Sequence, residues 1–549
     1  MTNHVEDAVS AWVKSAVTRR RFLTASAGIG IGAALSPTFL ASPATAAAPA
    51  QTLDVTTRIL EVNGKAAKVF ALTSDGKARL DFMSGDRFRV KLQNRLDQPT
   101  LIHWHGLTPP NAADGVPDLT QPALAAGGSY DYDFLLARPG TNFMHSHVGL
   151  QEQLLLASPL IIRDPAEAHL DEQEVVIQLH DFTFRDPQQI LADLRKGMAH
   201  QMGGHDMASH GTTADAMGKA QMQNMPMQQM QGMDMQGMNM SGDEMSQMPN
   251  MSPGMSHGDP SATSDAMSQA MMQQMAGDGA MTGADLNDVA YDAFLANDRS
   301  YQDPEVIAVE RGGKVRLRII NAAASSNFMI DLGALSAELI AVDGMPVQPV
   351  TDRQFALAVS QRIDLRLQLP AESTAVPVVA QLEGDRRRSV VVLAPKGATI
   401  AKLDFLSAKP TGRFDQLTGH LVAARDPLPV RQADRRLSLD LTGNMMTYRW
   451  GLASDGKEAP LQVRQGERVE IEMVNRSGMS HPMHLHGHHF QLVAVNGTAV
   501  NGPVRDTHLV PAGGRCTIAF DADNPGRWAF HCHNLYHMVS GMMTELAYI

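Results

Sequence analysis

The chain has little cysteine, few aromatic rings and, beyond its first 46 residues, no long apolar run. Two cysteines, Cys516 and Cys532, in 549 residues cannot build a disulfide framework, so stability must come from packed cores. If Cys532 is a ligand, Cys516 is left as a small buried thiol. Aromatics make up only 5% of the residues, which leaves aliphatic side chains to fill those cores. The absence of an apolar stretch of ~20 residues after the N-terminal region excludes a membrane-spanning helix. Positive charge is also scarce: 46 Lys and Arg stand against 58 Asp and Glu, a net charge of -12. That balance disfavours nucleic acid and anionic membranes and favours cations as partners.

What is present is length and a strand period. A chain of 549 residues with 44% hydrophobic content exceeds what one core accommodates and suits about three domains. Short stretches alternate apolar and polar residues and break at Gly, Pro, Asn and Asp, as in 87–92, 314–320, 363–369 and 468–474. Period two with frequent turn signals predicts an all-β chain of sandwiches or Greek-key barrels.

The chemistry is concentrated near the end, in His531-Cys532-His533-Asn534-Leu535-Tyr536-His537, with Met542 five residues on. Successive side chains of a strand face opposite ways, so His531 and His533 address one side and Cys532 the other. One segment thus serves two sites. A thiolate from Cys532, an imidazole from His537 and a weak thioether from Met542 need only a second imidazole, which His481 can supply, to form the His₂Cys site with a long axial Met that favours blue copper. Three more pairs repeat the spacing: His103 with His105, His145 with His147, and His484 with His486. A lone pair of this kind is equally an ordinary hydrogen-bonded couple. Four pairs beside a separate thiolate exceed the four ligands that satisfy a structural zinc, and imply several clustered metals.

These residues resemble the multicopper oxidases. The motifs are H-W-H-G at 103–106, H-S-H at 145–147, H-P-M-H-L-H-G-H at 481–488, and H-C-H-N-L-Y-H with a methionine ten residues after the cysteine. The resemblance implies four Cu ions. His481, Cys532, His537 and Met542 would hold type 1 copper; His103 and His484 would hold type 2; His105, His145, His147, His486, His531 and His533 would hold the type 3 pair. It also implies three cupredoxin-like Greek-key β-barrel domains at 47–165, 166–410 and 411–549, with the histidine cluster between the first and last. Relatives carry a proton-relaying carboxylate at the position of Asp114, although an Asp-Gly turn alone accounts for that residue equally well. Some cuprous oxidases place a Glu after the last histidine of the C-terminal motif, where this chain has Met538.

Two further segments locate the protein and its substrate. Residues 1–46 read Thr18-Arg19-Arg20-Arg21-Phe22-Leu23, then a mild apolar stretch, then Ala44-Thr45-Ala46. That order describes a twin-arginine signal peptide and predicts a periplasmic protein. Residues 198–281 hold 21 of the 34 methionines without helical or strand period, and are read as a long disordered Met-rich insertion in the second domain. Thioethers select Cu(I), which marks Met225, Met227, Met230, Met233, Met235, Met238 and Met240 for capture, with His200, His205, His210 and His257 adding Cu(II) affinity. A low-complexity linker or a Met-rich helix for a protein partner are the competing readings.

The combination resembles the bacterial copper-resistance group of multicopper oxidases. It implies a periplasmic oxidase of Cu(I), and of phenols as well, that reduces O2 to water with Cys532 as the point of electron entry. Expected partners are Cu(I), O2 and periplasmic copper-handling proteins, with the chain a monomer. A laccase-type phenol oxidase shares every copper ligand, and a non-enzymatic copper-sequestering protein would use only the methionine segment. Met445, Met446, Met538 and Met543 cluster in sequence near the type 1 residues, as a Cu(I) docking point or as ordinary packing.

Overall fold

The strand Arg87–Asn94 reads RFRVKLQN and buries every second residue, Phe88, Val90, Leu92 and Asn94. This is the alternation of a sheet with one face on a core. Lys314–Asn321 and Arg468–Asn475 alternate over part of their length and are buried on both faces toward their ends, and these three strands anchor three repeats. The computed structural model describes residues 50–196, 286–414 and 422–549. The expected signal peptide and the methionine-rich stretch, with its capture residues and four histidines, lie outside them.

Among the described residues there are six sheets. In the first repeat a four-stranded sheet (65–73, 51–62, 87–94, 129–135) faces a second (80–83, 157–163, 140–146, 102–105). Leu53, Phe88, Val90 and Phe134 from one sheet, and Trp104, Met144, Leu160 and Ile162 from the other, share a core. The second repeat combines sheets of seven and five strands between residues 173 and 395, and the third does so between residues 435 and 548.

Each repeat contains two parallel strand pairs at matching places. These are 51–55 with 90–94 and 80–83 with 160–163; 173–179 with 315–321 and 305–309 with 391–395; and 435–441 with 469–475 and 461–463 with 546–548. Parallel neighbours need a crossover, so these pairs are the topological fingerprint of a Greek-key sandwich repeated three times.

A buried asparagine marks the same corner in each repeat. The Nδ2 of Asn94 donates to the carbonyls of Gln98, Leu124 and Ala125, and its Oδ1 accepts from the amide of Leu96. Asn321 donates to Ser326 and Leu357 and accepts from Ala323. Asn475 donates to Met479, Val510 and Pro511 and accepts from Ser477. At the end of a strand these amides satisfy backbone groups that the ladder no longer serves.

The repeats meet where the histidines lie. Asn111 Nδ2 donates to the carbonyl of Arg527 at 2.6 Å, and Asn524 Nδ2 donates to that of Pro109 at 3.1 Å. Arg362 of the middle repeat donates to Thr141 O in the first and to both carboxylate oxygens of Asp506 in the third.

Candidate metal centre

Cys532 ends the strand Arg527–Cys532, beside the strand His481–Leu485, with Met483 opposite it in register. Its Sγ lies 3.6 Å from Nδ1 of His481 and 3.8 Å from Nδ1 of His537, and the two nitrogens are 3.1 Å apart. His537 is placed by the short helix Leu535–Val539, which Asn534 caps by accepting from the amides of Tyr536 and His537. Met542 is fully buried, and its carbonyl accepts from the Cys532 amide. The outer imidazole edges are also engaged: His481 Nε2 meets Ser477 Oγ at 2.6 Å, and His537 Nε2 lies 3.0 Å from Asp288 Oδ2. Burial pushes the Cys532 thiol well above its ordinary value, so its thiolate is tenable there only with a soft cation bound.

On the other side of that strand eight histidines converge; three of the four H-x-H pairs divide between neighbouring groups, and His105 of the fourth bridges two of them. The groups are His103 and His484 with His105; His105, His145 and His533; and His147, His486 and His531. All are buried. The second histidine of three pairs, His147, His486 and His533, sits one residue past the end of its strand. The chain there is free to turn the two rings of one pair toward different centres.

The tautomers can be read from the hydrogen bonds. Nδ1 of His103 donates to Asp114 O, and Nδ1 of His484 to Asp506 O, so each carries its hydrogen there. Their bare Nε2 atoms face each other at 3.5 Å. Nδ1 of His486 donates to Asp114 Oδ2 and Nδ1 of His531 to Cys532 O, and their Nε2 atoms are 3.0 Å apart. His145 Nδ1 donates to Ser146 O, with its Nε2 3.3 Å from that of His533. His105 donates through Nε2 to Asp506 Oδ1 at 3.0 Å, and its buried Nδ1 has no partner. Lone pairs aimed at one another in a dry site repel unless a cation lies between them. Burial, then the neighbouring histidines, holds His484, His486 and His533 well below the ordinary imidazole value; burial alone dominates at His531, which falls to about 3. Neutral imidazoles are the form that binds metal. The donor set therefore fits several copper ions.

Asp114 is fully buried, with Oδ2 at 2.8 Å from His486 Nδ1 and Oδ1 at 3.4 Å from His103 Nδ1. The Asp-Gly turn is also real. Gly115 has φ +87°, and a Cβ there would stand 1.9 Å from the Ile102 carbonyl. The turn and the carboxylate are one device.

Sequence reasoning missed three carboxylates. Asp506 touches His105 and approaches His484 Nδ1 at 3.6 Å. Asp288 faces His537, and Glu152 lies 3.5 Å from His145. Asp506 carried no signal, standing between Arg505 and the half-polar strand Thr507–Val510. Glu152 carried one, as the single charge in 148–156.

Three stretches match the multicopper oxidase family: residues 59–167, 263–390 and 431–548. The chain is 28% identical to multicopper oxidase MmcO of Mycobacterium tuberculosis, over 85% of this chain and 80% of that one. It is 27% identical to copper resistance protein A of Pseudomonas syringae pv. tomato, over 97% and 99%. Among solved structures it is similar to Fet3p, a multicopper oxidase that functions in iron import (TM-score 0.66, 16% identity, 90% of each chain). It is also similar to a laccase from Botrytis aclada (TM-score 0.62, 21% identity, 91% and 88%). With matched stretches in all three sandwiches and a buried array of histidines around a cysteine, the chain belongs to the multicopper oxidases and is a copper-dependent oxidoreductase.

Proposed function

We propose that this oxidase takes electrons from Cu(I) in the periplasm, after twin-arginine export, and reduces O2 to water. The observation that carries the reading is the strand end at 531–533, where a thiol and two imidazoles on consecutive residues serve separate centres. His481, Cys532, His537 and Met542 are assigned to type 1 copper, His103 and His484 to type 2. His105, His145 and His533 take one type 3 ion, and His147, His486 and His531 take the other. Bound copper supplies one-electron chemistry, so that four Cu(I) are oxidised for each O2 converted to two waters.

The residues of the chain do the rest. Neutral, desolvated imidazoles keep their lone pairs for metal. Asp114 orients His486 and is positioned to pass protons to the same chamber. Asp288 seals the outer edge of His537 with a carboxylate; burial raises its pKa, but His537 and the side chains of Asn534 and Tyr448 outweigh this and hold it below the ordinary range. An anionic cover suits a cationic donor better than a bulky phenol. The relatives named for copper resistance and the methionine-rich stretch, with Met225 to Met240 as Cu(I) ligands, support the same substrate. The three sandwiches and three family matches support domains at 47–165, 166–410 and 411–549.

Oxygen uptake by copper-loaded protein, with Cu(I) or a bulky phenol as donor and with or without residues 198–281, tests the proposal. Sustained uptake with four Cu(I) consumed per O2 is expected. Uptake only with the phenol identifies a laccase, and Cu(I) binding without uptake identifies a sequestering protein.

A further inference from the structure

The stretch 148–156 reads VGLQEQLLL, with one charge among apolar and amide side chains. It forms a single tight turn, Gln151–Leu154, closed by Leu155 at φ +64°. Both glutamines are fastened. Gln151 Oε1 accepts from Thr100 Oγ1 and Ser146 Oγ, and its Nε2 donates to Pro99 O. Gln153 Oε1 accepts from the hydroxyls of Tyr291 in the middle repeat and Tyr536 in the last. The residue between them has no freedom to leave. Glu152 is 3% exposed, with Oε2 at 3.5 Å from His145 Nδ1 and Oε1 at 4.0 Å from His533 Nδ1. That Oε1 is buried and makes no hydrogen bond, a costly arrangement for a carboxylate unless the centre beside it carries positive charge.

We infer that Glu152 is a positioning residue for one metal site of the cluster, holding His145 and His533 with Nδ1 protonated and Nε2 turned inward to the copper they share with His105. The inference rests on the proposed copper assignment. The two Nε2 atoms are 3.3 Å apart, and both are bare only if both hydrogens lie on Nδ1. Ser146 O takes the Nδ1 hydrogen of His145, and a carboxylate 3.5 and 4.0 Å from the two Nδ1 atoms adds its charge in favour of that tautomer and makes both ligands more basic. Asp506 backs His105 from the other nitrogen, accepting from Nε2 and leaving Nδ1 bare for the metal. Every ligand of this trio therefore has a carboxylate behind it, whereas in the trio of His147, His486 and His531 the described contacts give one only to His486, from Asp114. The two type 3 positions are unequal, and the one backed by Glu152 binds its ion more tightly.

E152Q keeps the shape of the side chain and removes its charge. With holoprotein, copper per chain, the blue thiolate-to-copper band and the electron paramagnetic resonance spectrum are measured during titration with a chelator. E152Q is expected to keep the blue band. It should release one type 3 ion at about tenfold to a hundredfold lower chelator concentration than wild type, exposing a new resonance from the ion left without its magnetic partner. E152D, which retains the charge, should fall between the two and provides the reading if E152Q fails to fold. A chelator curve and resonance spectrum unchanged in E152Q, or E152D no better than E152Q, overturns the role of Glu152. A wild-type holoprotein without the blue band overturns instead the copper assignment on which it rests.

Discussion

Replacing Arg362 by leucine isolates what a fully buried ion pair contributes at the junction of the three sandwiches. The guanidinium is 0% exposed and donates to Thr141 O at 3.1 Å, Ser360 O at 3.1 Å, and Asp506 Oδ1 and Oδ2 at 2.8 and 2.5 Å. Burial raises the Asp506 carboxyl, but Arg362 outweighs that and holds it below its ordinary range. In R362L the carboxylate stays buried among His105, His484 and Thr507 without its cation. Removing one member of such a pair costs about 3–5 kcal/mol, whereas removing both and packing apolar groups in their place is often nearly neutral. R362L is therefore expected to lose about 3–5 kcal/mol, and R362L/D506L much less than the sum of the two single variants. The assay is denaturant unfolding of the copper-free protein near pH 7, followed by tryptophan fluorescence. A loss below about 1 kcal/mol in R362L, or strict additivity in the double variant, would refute the reasoning.

Other perturbations follow from the same geometry. C532S should abolish the blue colour and turnover while leaving the histidine cluster able to bind copper, as metal analysis and paramagnetic resonance would show; persistent turnover places electron entry elsewhere. G115A forces a Cβ to within 1.9 Å of Ile102 O at positive φ, costing about 1–3 kcal/mol in backbone strain alone, so chelators should strip copper from the His103 site sooner than in wild type. His180 is buried and its pKa falls to about 4, chiefly through burial, with Asp298 opposing and Arg58 adding to the shift. Because the unfolded state binds the proton first, its contribution, about 3 kcal/mol, is intact above pH ~6.5 and lost as pH falls toward 4. H180Q should flatten that part of the stability curve, measured by denaturation across pH.

The sequence was legible wherever one short segment supplies both the chemistry and its geometry. Period two in 87–94, 314–321 and 468–475 announced strands, and the strand alternation at 531–533 announced two centres back to back. The histidines and the cysteine that converge could be named because each lies within a few residues of another. The second layer was hidden for the opposite reason. Asp506 reaches His105 across 401 residues, and Asp288 and Glu152 reach His537 and His533 only after separate sandwiches have docked. No local pattern encodes such a contact. The Asp114 turn was legible in backbone but ambiguous in side chain, since Asp-Gly satisfies the turn whether or not the carboxylate is used. Likewise the three corner asparagines are visible as strand-end residues, but their shared duty emerges only from the carbonyls gathered around them.

The claim on which all of this depends is that Cys532 and its flanking histidines join a thiolate-bound copper to a separate three-copper cluster. The most direct test is the copper content of the purified holoprotein, with its visible absorption recorded on the same sample. The account predicts four ions per chain and an intense blue band. A colourless protein, or one that holds fewer than four tightly bound ions when fully loaded, contradicts it.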